Sequence, residues 1–447
     1  MKKDFLEWKK IAIVCDWIKD LWWAELVLAQ LLEIFPEADI FTSVFFQKDN
    51  PIFIWRKIKT SYIQKIPILN KSHKLALTMR PKAFERFDFS NYDIVISSSS
   101  AESKWVITKP ETLHICYCHT PTRYFWSHYH EYLNMMEFGL LNPIWKWLMP
   151  KIVHKLRIWD FCASKRPDFF IANSKNTKNR IKKYYKREAE VIYPCVEIEK
   201  FIFNAEKEDF YLYVWRCIPY KKFDLIVDAF NKNWKKIIIV TNTDNKLYRK
   251  LKSISKENIS WKLNIKREEI YELYSKAKAF LFPPEEDFWL VPIEAMASGT
   301  PVIAYWKGGA LETVVSGKTW IFFSEQTINS LNKAIEEFEK MSFDANEIRD
   351  YSKNFDKKIF KENIAPSLAL NVLGLYKSTV FSLRTISLTP KAKQVLKIVP
   401  RLDGSLTLSI NKIVLALISF SSKYFTKAIS SLEFFKLDKL SFNFLSR

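Results

Sequence analysis

Two carboxylates, Glu286 and Glu294, stand eight residues apart in the run PPEEDFWLVPIEAMASGTPVIAYWKGGALETVVSGKTWIFF, residues 283–323. The short apolar turn between them predicts a helix opening near Pro292 and closing at Ser298-Gly299, where glycine suits a left-handed cap. Thr300–Tyr305 then reads as a short buried strand, followed by a Gly308-Gly309 loop and a second helix start. A strand–loop–helix–strand unit of this kind aims both acids and one helix N-terminus at a single spot. A helix N-terminus draws phosphate, and paired acids can hold sugar or ribose hydroxyls. The chemistry this suggests is recognition of a nucleotide-sugar; the bland alternative is two surface acids at a helix start.

A third chemistry-bearing residue is His119. The run LHICYCH, 113–119, reads as a buried strand that ends on it, and ligands of open α/β sheets bind at the carboxyl ends of strands. A lone histidine is more often structural, but that position favours a site residue. Other runs predict buried parallel strands at 10–16 (ending on Asp16), 36–46, 92–98, 168–172, 210–215, 236–241 and 279–282. Helices are expected from about Glu25 through Ile34, over the aromatic-rich 130–165, and over 326–340 and 356–370. Alternating strands and helices place the chain in the α/β class.

Composition bounds the partners. A chain of 447 residues, 48% hydrophobic and 27% charged, has ample material for two or three domains. Its formal net charge of +21 favours anionic partners: nucleic acid, acidic lipid headgroups or phosphorylated substrates. No zinc-finger spacing or RRM-type aromatic motif is present, so no nucleic-acid partner is expected. The basic segment Lys175–Arg187, with seven Lys/Arg and no acid, reads either as a solvated helix face or as a contact for an anionic membrane or a phosphate-bearing acceptor. The six cysteines form no CxxC pair and no metal-ligand cluster, as expected of buried thiols in a reducing compartment. The N-terminal lysines precede only the short apolar run Ile11–Cys15, which predicts no signal peptide. The tail 377–447 carries 12 Lys/Arg against 3 Asp/Glu and reads as an amphipathic membrane-surface segment or a partly disordered extension.

The opening run resembles the signature of the retaining glycosyltransferases of family 4, E-G-F-G-L-x-x-x-E-A-M-A-x-G-x-P-V-I-A, with Asp287 and Trp289 in place of its two early glycines. Three other runs carry the same resemblance. Asp16 to Glu25 resembles D-W-x-x-x-x-G-G-A-E, with Trp22-Trp23 at the glycine pair. CYCHTPTRYFW (116–126) resembles C-Y-C-H-T-P-x-R-Y-x-W, a form found in O-antigen-type mannosyltransferases, and Trp215 to Asp224 resembles G-R-x-x-P-x-K-x-x-D. The resemblance spans about residues 10–370.

It implies a GT-B fold, with two Rossmann-like domains whose parallel sheets face one another across a cleft. The implied organisation is an acceptor-side domain at 1–190, a hinge at 191–205, a nucleotide-sugar domain at 206–355, a crossover helix at 356–376 and the tail. The implied catalytic residues are His119 near the anomeric carbon or the acceptor hydroxyl, Arg216 and Lys221 neutralising the departing diphosphate, and Glu286 holding sugar hydroxyls. Donor-binding positions are Trp22, Trp23, Trp215, Phe288, Trp289, Leu290 and Glu294, the last holding the ribose; Asp16, Glu25 and Lys222 are further candidates. No metal is expected, because nothing resembles the D-x-D metal site of the other large glycosyltransferase fold, and no cofactor, because the nucleotide-sugar is a substrate. The implied donor is GDP-mannose and the acceptor a lipid-linked glycan, with the enzyme peripheral on the cytoplasmic face of the plasma membrane beside anionic lipid. Alternatives are a UDP-sugar donor, a sugar-nucleotide epimerase, and a non-catalytic binding protein of the same fold.

Glycine is scarce. Seven in 447 residues is about 1.6%, against roughly 7% in typical proteins, while tryptophan numbers 16. Trp22, Trp23, Trp55, Trp105, Trp215, Trp234, Trp261, Trp289, Trp306 and Trp320 fall where the family or local turn logic expects glycine, whereas Trp17, Trp126 and Trp159 match family tryptophans. One cause would account for all ten: UGA codons that specify glycine in the cell, written here as Trp; the competing reading is that the tryptophans are real and the chain is a site-occluded relic.

Overall fold

The computed structural model describes residues 9–19, 23–71, 75–134, 142–288, 290–312 and 320–372. Within it, Lys9–Leu373 forms one compact unit containing two parallel sheets. The first sheet comprises β1 (Ile11–Cys15), β2 (Asp39–Thr42), β3 (Ile58–Thr60), β4 (Ile94–Ser99), β5 (Leu113–Cys118), β6 (Phe169–Ala172) and β7 (Glu190–Val191), in the order β3-β2-β1-β4-β5-β6-β7. The second comprises β8 (Glu208–Val214), β9 (Ile237–Thr241), β10 (Ile259–Leu263), β11 (Ala277–Phe282), β12 (Val302–Tyr305) and β13 (Trp320–Phe323), in the order β10-β9-β8-β11-β12-β13. Both sheets are covered on two faces, so their central strands are continuous apolar runs rather than alternating ones. Ala12, Ile13 and Val14 in β1 and Phe280, Leu281 and Phe282 in β11 are wholly buried.

The helices that matter for the site are α1 (Trp23–Ile34), α2 (Asn142–Ala163), α3 (Lys175–Tyr185), α4 (Phe223–Asn233), α5 (Arg267–Lys276), α6 (Leu290–Ala297) and α7 (Lys357–Val372). Helix α7 packs against the N-terminal lobe. The Phe360 ring lies 6.0 Å from that of Tyr117, and Ser367 donates to Glu190 at 2.5 Å.

Two expectations need correction. The strand expected over 36–46 is only Asp39–Thr42, since Pro36 and the turn after it lie outside the ladder. The helix expected over 130–165 is two helices, Tyr129–Asn134 and α2, with 135–141 outside the described residues. The short edge strands β3 and β7, and β10 and β13 in the second sheet, carried no clear sequence signal.

One tryptophan adopts backbone geometry that favours glycine. Trp234 caps α4 in the left-handed region at φ 59°, donating its N–H to Phe230 O at 3.1 Å, and its side chain is 59% exposed. A side chain with a Cβ pays about 1–2 kcal/mol in that conformation. Trp234→Gly is therefore expected to stabilise the chain by about 1 kcal/mol, read as a higher urea midpoint; an unchanged or lower midpoint would contradict it.

A buried histidine sets an acid limit on the fold. His114 in β5 is fully buried, with Nε2 2.9 Å from Ser97 Oγ, and burial pulls its pKa down from 6.5 to about 3. Between those values the unfolded chain binds the proton and the native chain does not. Stability present above pH 6.5 is therefore lost as pH falls. The loss attributable to this residue between pH 7 and 4.5 is about 2–3 kcal/mol. Urea titrations at the two pH values should show this loss, and His114→Asn should remove most of it.

Candidate active site

The order of the second sheet reverses between β8 and β11, and residues just beyond the carboxyl ends of these strands meet, as at the ligand crevice of open α/β sheets. After β11 the chain passes Pro283-Pro284 to Glu286. After β8 come Trp215 and Arg216, then a short turn, Pro219–Lys221. Lys221 Nζ lies 2.5 Å from Glu286 Oε1, with both side chains nearly inaccessible. The other carboxylate oxygen, Oε2, accepts from Arg123 Nη2 at 2.8 Å. Arg123 comes from the other lobe, in the segment CYCHTPTRYFW that follows β5. The same guanidinium donates from Nε to Asp287 Oδ2 at 2.8 Å, and Arg180 of α3 bonds Asp287 Oδ1.

The backbone around Glu286 is held by two of the few glycines. Gly309 N donates to Glu286 O at 2.9 Å. Gly308 has φ +78°, and a Cβ there would stand 2.6 Å from Glu286 O; one on Gly309 would strike the Asp287 carbonyl. Only glycine allows this approach.

Burial favours neutral Glu286, but Lys221 and Arg123 outweigh it and hold its pKa down at about 2. Burial also pulls the Lys221 ammonium down, to about 7, against the opposing pull of Glu286. The pair is held by mutual charge in a dry setting. Arg216 is exposed at the end of β8, and its positive charge reaches Lys221. Lys222 is half-buried, in the left-handed region at φ 61°.

His119 follows β5 directly. Its Nε2 lies 2.8 Å from Ser98 Oγ, and burial lowers its pKa to about 4, so the ring is neutral at neutral pH. Thr177 of α3 donates to its carbonyl at 3.2 Å.

Glu294, on α6, is buried and accepts from Tyr274 OH at 3.1 Å. It lines a small recess with Gln30 of α1, Glu197, Lys200, and Arg267 and Tyr271 of α5. Leu290 is buried at the start of α6, and Phe288 stacks on Tyr193 with centroids 5.4 Å apart. The Trp215 ring is buried under Lys221, whose Nζ lies 3.2 Å from its centroid. Asp16 is buried and already accepts from the amides of Ser100, Ala101 and Ser103 at 2.6–2.9 Å. Glu25 is buried in the first turn of α1. Trp22, Trp289 and the side chain of Trp23 lie outside the described residues.

The structure thus brings Lys221 and Glu286 together at one carboxylate and sets Glu294 at the recess lined by Gln30 and Arg267. Two further residues join the site. Arg123 lies in the run CYCHTPTRYFW with no local pattern that marks its partner. Asp287, in place of a family glycine, is 2% exposed and grips two arginines. Glu312 accepts from the backbone amides of Lys175 and Asn176 at 2.5 Å each, occupying the N-terminus of α3. Among the described residues, no group of three or more His, Cys, Asp or Glu side chains is arranged to hold a metal ion.

Comparison with known proteins bears on this crevice. Residues 196–355 match the family model described as Glycosyl transferases group 1. This group 1 segment contains Arg216, Lys221, Glu286 and Glu294. The chain is 31% identical over 204 residues to an uncharacterized glycosyltransferase of Methanocaldococcus jannaschii, covering 44% of this chain and 56% of that one. It is 27% identical over 215 residues to the O-antigen chain mannosyltransferase RfbU of Salmonella typhimurium, covering 46% and 60%. With the alpha-1,3/1,6-mannosyltransferase ALG2 of Saccharomyces cerevisiae it shares 28% over 251 residues, 44% of this chain and 48% of that one. The matched region therefore spans only about half the length of these relatives. Among solved structures, sucrose-phosphate synthase from Thermosynechococcus elongatus superposes with a TM-score of 0.60 at 18% identity, over 83% of this chain and 100% of that one. HepE of Anabaena, crystallised with UDP-glucose, superposes at 0.59 and 16% identity, over 81% and 99%. The fold is GT-B.

Proposed function

We propose that the chain is a retaining glycosyltransferase. It moves a hexose, mannose from GDP-mannose, onto a lipid-linked or polysaccharide acceptor in cell-surface glycan synthesis. What supports this reading best is the carboxylate of Glu286, held between Lys221 of the group 1 segment and Arg123 of the other lobe. Two relatives matched over part of their length are mannosyltransferases by name, which favours mannose.

The chemistry follows from where charge develops. As the bond between the anomeric carbon and the β-phosphate oxygen lengthens, positive charge grows on the sugar and negative charge on the diphosphate. Arg216, Lys221 and the N-terminus of α6 supply fixed positive potential for the leaving group. Glu286 takes sugar hydroxyls and stabilises the cationic ring, while Glu294 takes the ribose. The acceptor hydroxyl attacks on the face the diphosphate leaves, giving its proton to the departing phosphate oxygen. Neutral His119 lies on the acceptor side and neither gains nor loses a proton in this scheme. Work at the cytoplasmic membrane face is part of the proposal; among the described residues no helix is long and apolar enough to cross a membrane.

Recoding is also part of this reading. The left-handed Trp234 favours glycine at its position, while Trp215, with Lys221 over its ring, makes an attractive cation–π contact that does not. Trp105 points the other way: it is wholly buried, and its Nε1 donates to Asp160 at 2.8 Å. Mass spectra of tryptic peptides from the source cells decide the matter, and Trp at 215 and 234 would overturn the recoding. If the tryptophans are real, a non-catalytic binding protein of the same fold becomes the better reading.

The function is tested by thermal shift with GDP-mannose and UDP-glucose, since a ligand stabilises the native state according to its affinity. A shift with GDP-mannose alone is expected. A shift with UDP-glucose alone would replace the donor, and none with either would overturn the reading.

A further inference from the structure

Helix α2 is amphipathic in an unusual sense. Its inward face is Met149, Val153, Leu156, Asp160 and Ala163, all buried. Its outward face, at helical spacing from Ile144 to Phe161, is apolar as well. Ile144 is 60% exposed, Trp147 66%, Ile158 54% and Phe161 36%. The charges among them have one sign: Lys151 and Lys155 are exposed on that face, and the helix's single acid, Asp160, is fully buried on the other. Lys151 folds over Trp147 with Nζ 3.5 Å from the ring centroid, and Lys165 lies 4.8 Å from that of Phe161. Lys165 also donates to the Tyr185 carbonyl at 2.5 Å, whereas Lys151 lays its stem along apolar surface as lysines do at a membrane interface.

We propose that the outward face of α2 docks in the plane of an anionic lipid bilayer. Large apolar side chains would enter the headgroup boundary, with lysines meeting lipid phosphates. A soluble protein partner would need acidic groups opposite Lys151 and Lys155 as well as apolar cover for about 30 Å of helix; an anionic bilayer supplies both along its whole plane. The inference deepens the lipid-linked acceptor reading, on which it rests for its purpose, and it assigns the docking surface to the N-terminal lobe rather than to the tail.

Cys162 provides the test. It is exposed next to Phe161, and the other five cysteines are buried, so a polarity-sensitive dye on the full chain reports from this helix. Phosphatidylcholine vesicles with about one-third phosphatidylglycerol should shift the dye to the blue, and pure phosphatidylcholine should do so at least ~10-fold more weakly. The pair Ile144→Gln and Ile158→Gln should weaken vesicle binding by about 10-fold or more. Lys151→Glu with Lys155→Glu is the second variant, should the first fail to fold. Three results would overturn the proposal: binding unchanged in both variants, which would assign docking to residues 374–447; equal binding to neutral vesicles; or a shift that follows protein concentration without lipid, which would mark a second copy. No donor is present in these assays, so a chain that transfers sugar yet fails them loses this proposal alone.

Discussion

Glu286→Gln is expected to reduce kcat/KM for sugar transfer by about 10³-fold or more, with the fold intact. The substitution keeps the shape and removes the charge, which has two consequences. The developing cation on the sugar loses its nearest carboxylate. Lys221, already pulled down to about 7 by burial, loses the partner that keeps it protonated, so its charge is lost to the departing diphosphate at neutral pH. Lys221→Ala should therefore lower turnover to a similar degree. The two losses should be strongly non-additive, because each single change disables the same pair. Steady-state transfer assays on both single variants and the double variant check this. Full activity in either single variant would remove Glu286 and Lys221 from the chemistry.

The largest expected effect on stability lies behind Arg123. Lys104 and Asp160 form a salt bridge of 2.9 Å with neither side chain exposed. Asp160 also accepts from Trp105 Nε1 at 2.8 Å, Trp126 Nε1 at 2.7 Å and Tyr185 OH at 2.8 Å. Thr122 and Trp126 flank Arg123, so this carboxylate anchors the loop that carries the guanidinium to Glu286. Asp160→Asn leaves a buried ammonium without its counter-charge and should cost about 3–5 kcal/mol. Lys104→Met in the same chain should recover much of that loss, because the unpaired charge is then gone. Urea unfolding of the single and double variants measures both. A loss below about 1 kcal/mol, in the range of exposed ion pairs, would contradict the account.

The sequence showed more of the second lobe than of the contacts between lobes. Strands such as 210–215 and 279–282 were readable because a sheet covered on both faces demands unbroken apolar runs. Glu286 with the nearby Gly308-Gly309, and Lys221 in its own run 65 residues earlier, each lie in a recognisable pattern. The Arg123–Glu286 contact joins residues 163 apart in the chain, and no local periodicity encodes it. Asp287 looked incidental because a single acid at a turn has no pattern; its two arginines come from separate elements after β5 and β6. The Lys104–Asp160 pair was invisible for the same reason, since isolated charges in apolar stretches carry no indication of their partner. The edge strands β3 and β7 gave no signal because two or three half-buried residues have no period to detect.

The most direct test of the central claim is acceptor-dependent release of nucleoside diphosphate from GDP-mannose by protein taken from its source cells. A lipid-linked glycan extract serves as acceptor, with Glu286→Gln protein run in parallel. The account predicts GDP release that requires the acceptor and falls by about 10³-fold in the variant. Acceptor-dependent release at the same rate in both proteins, or no release from any nucleotide-sugar, would contradict it.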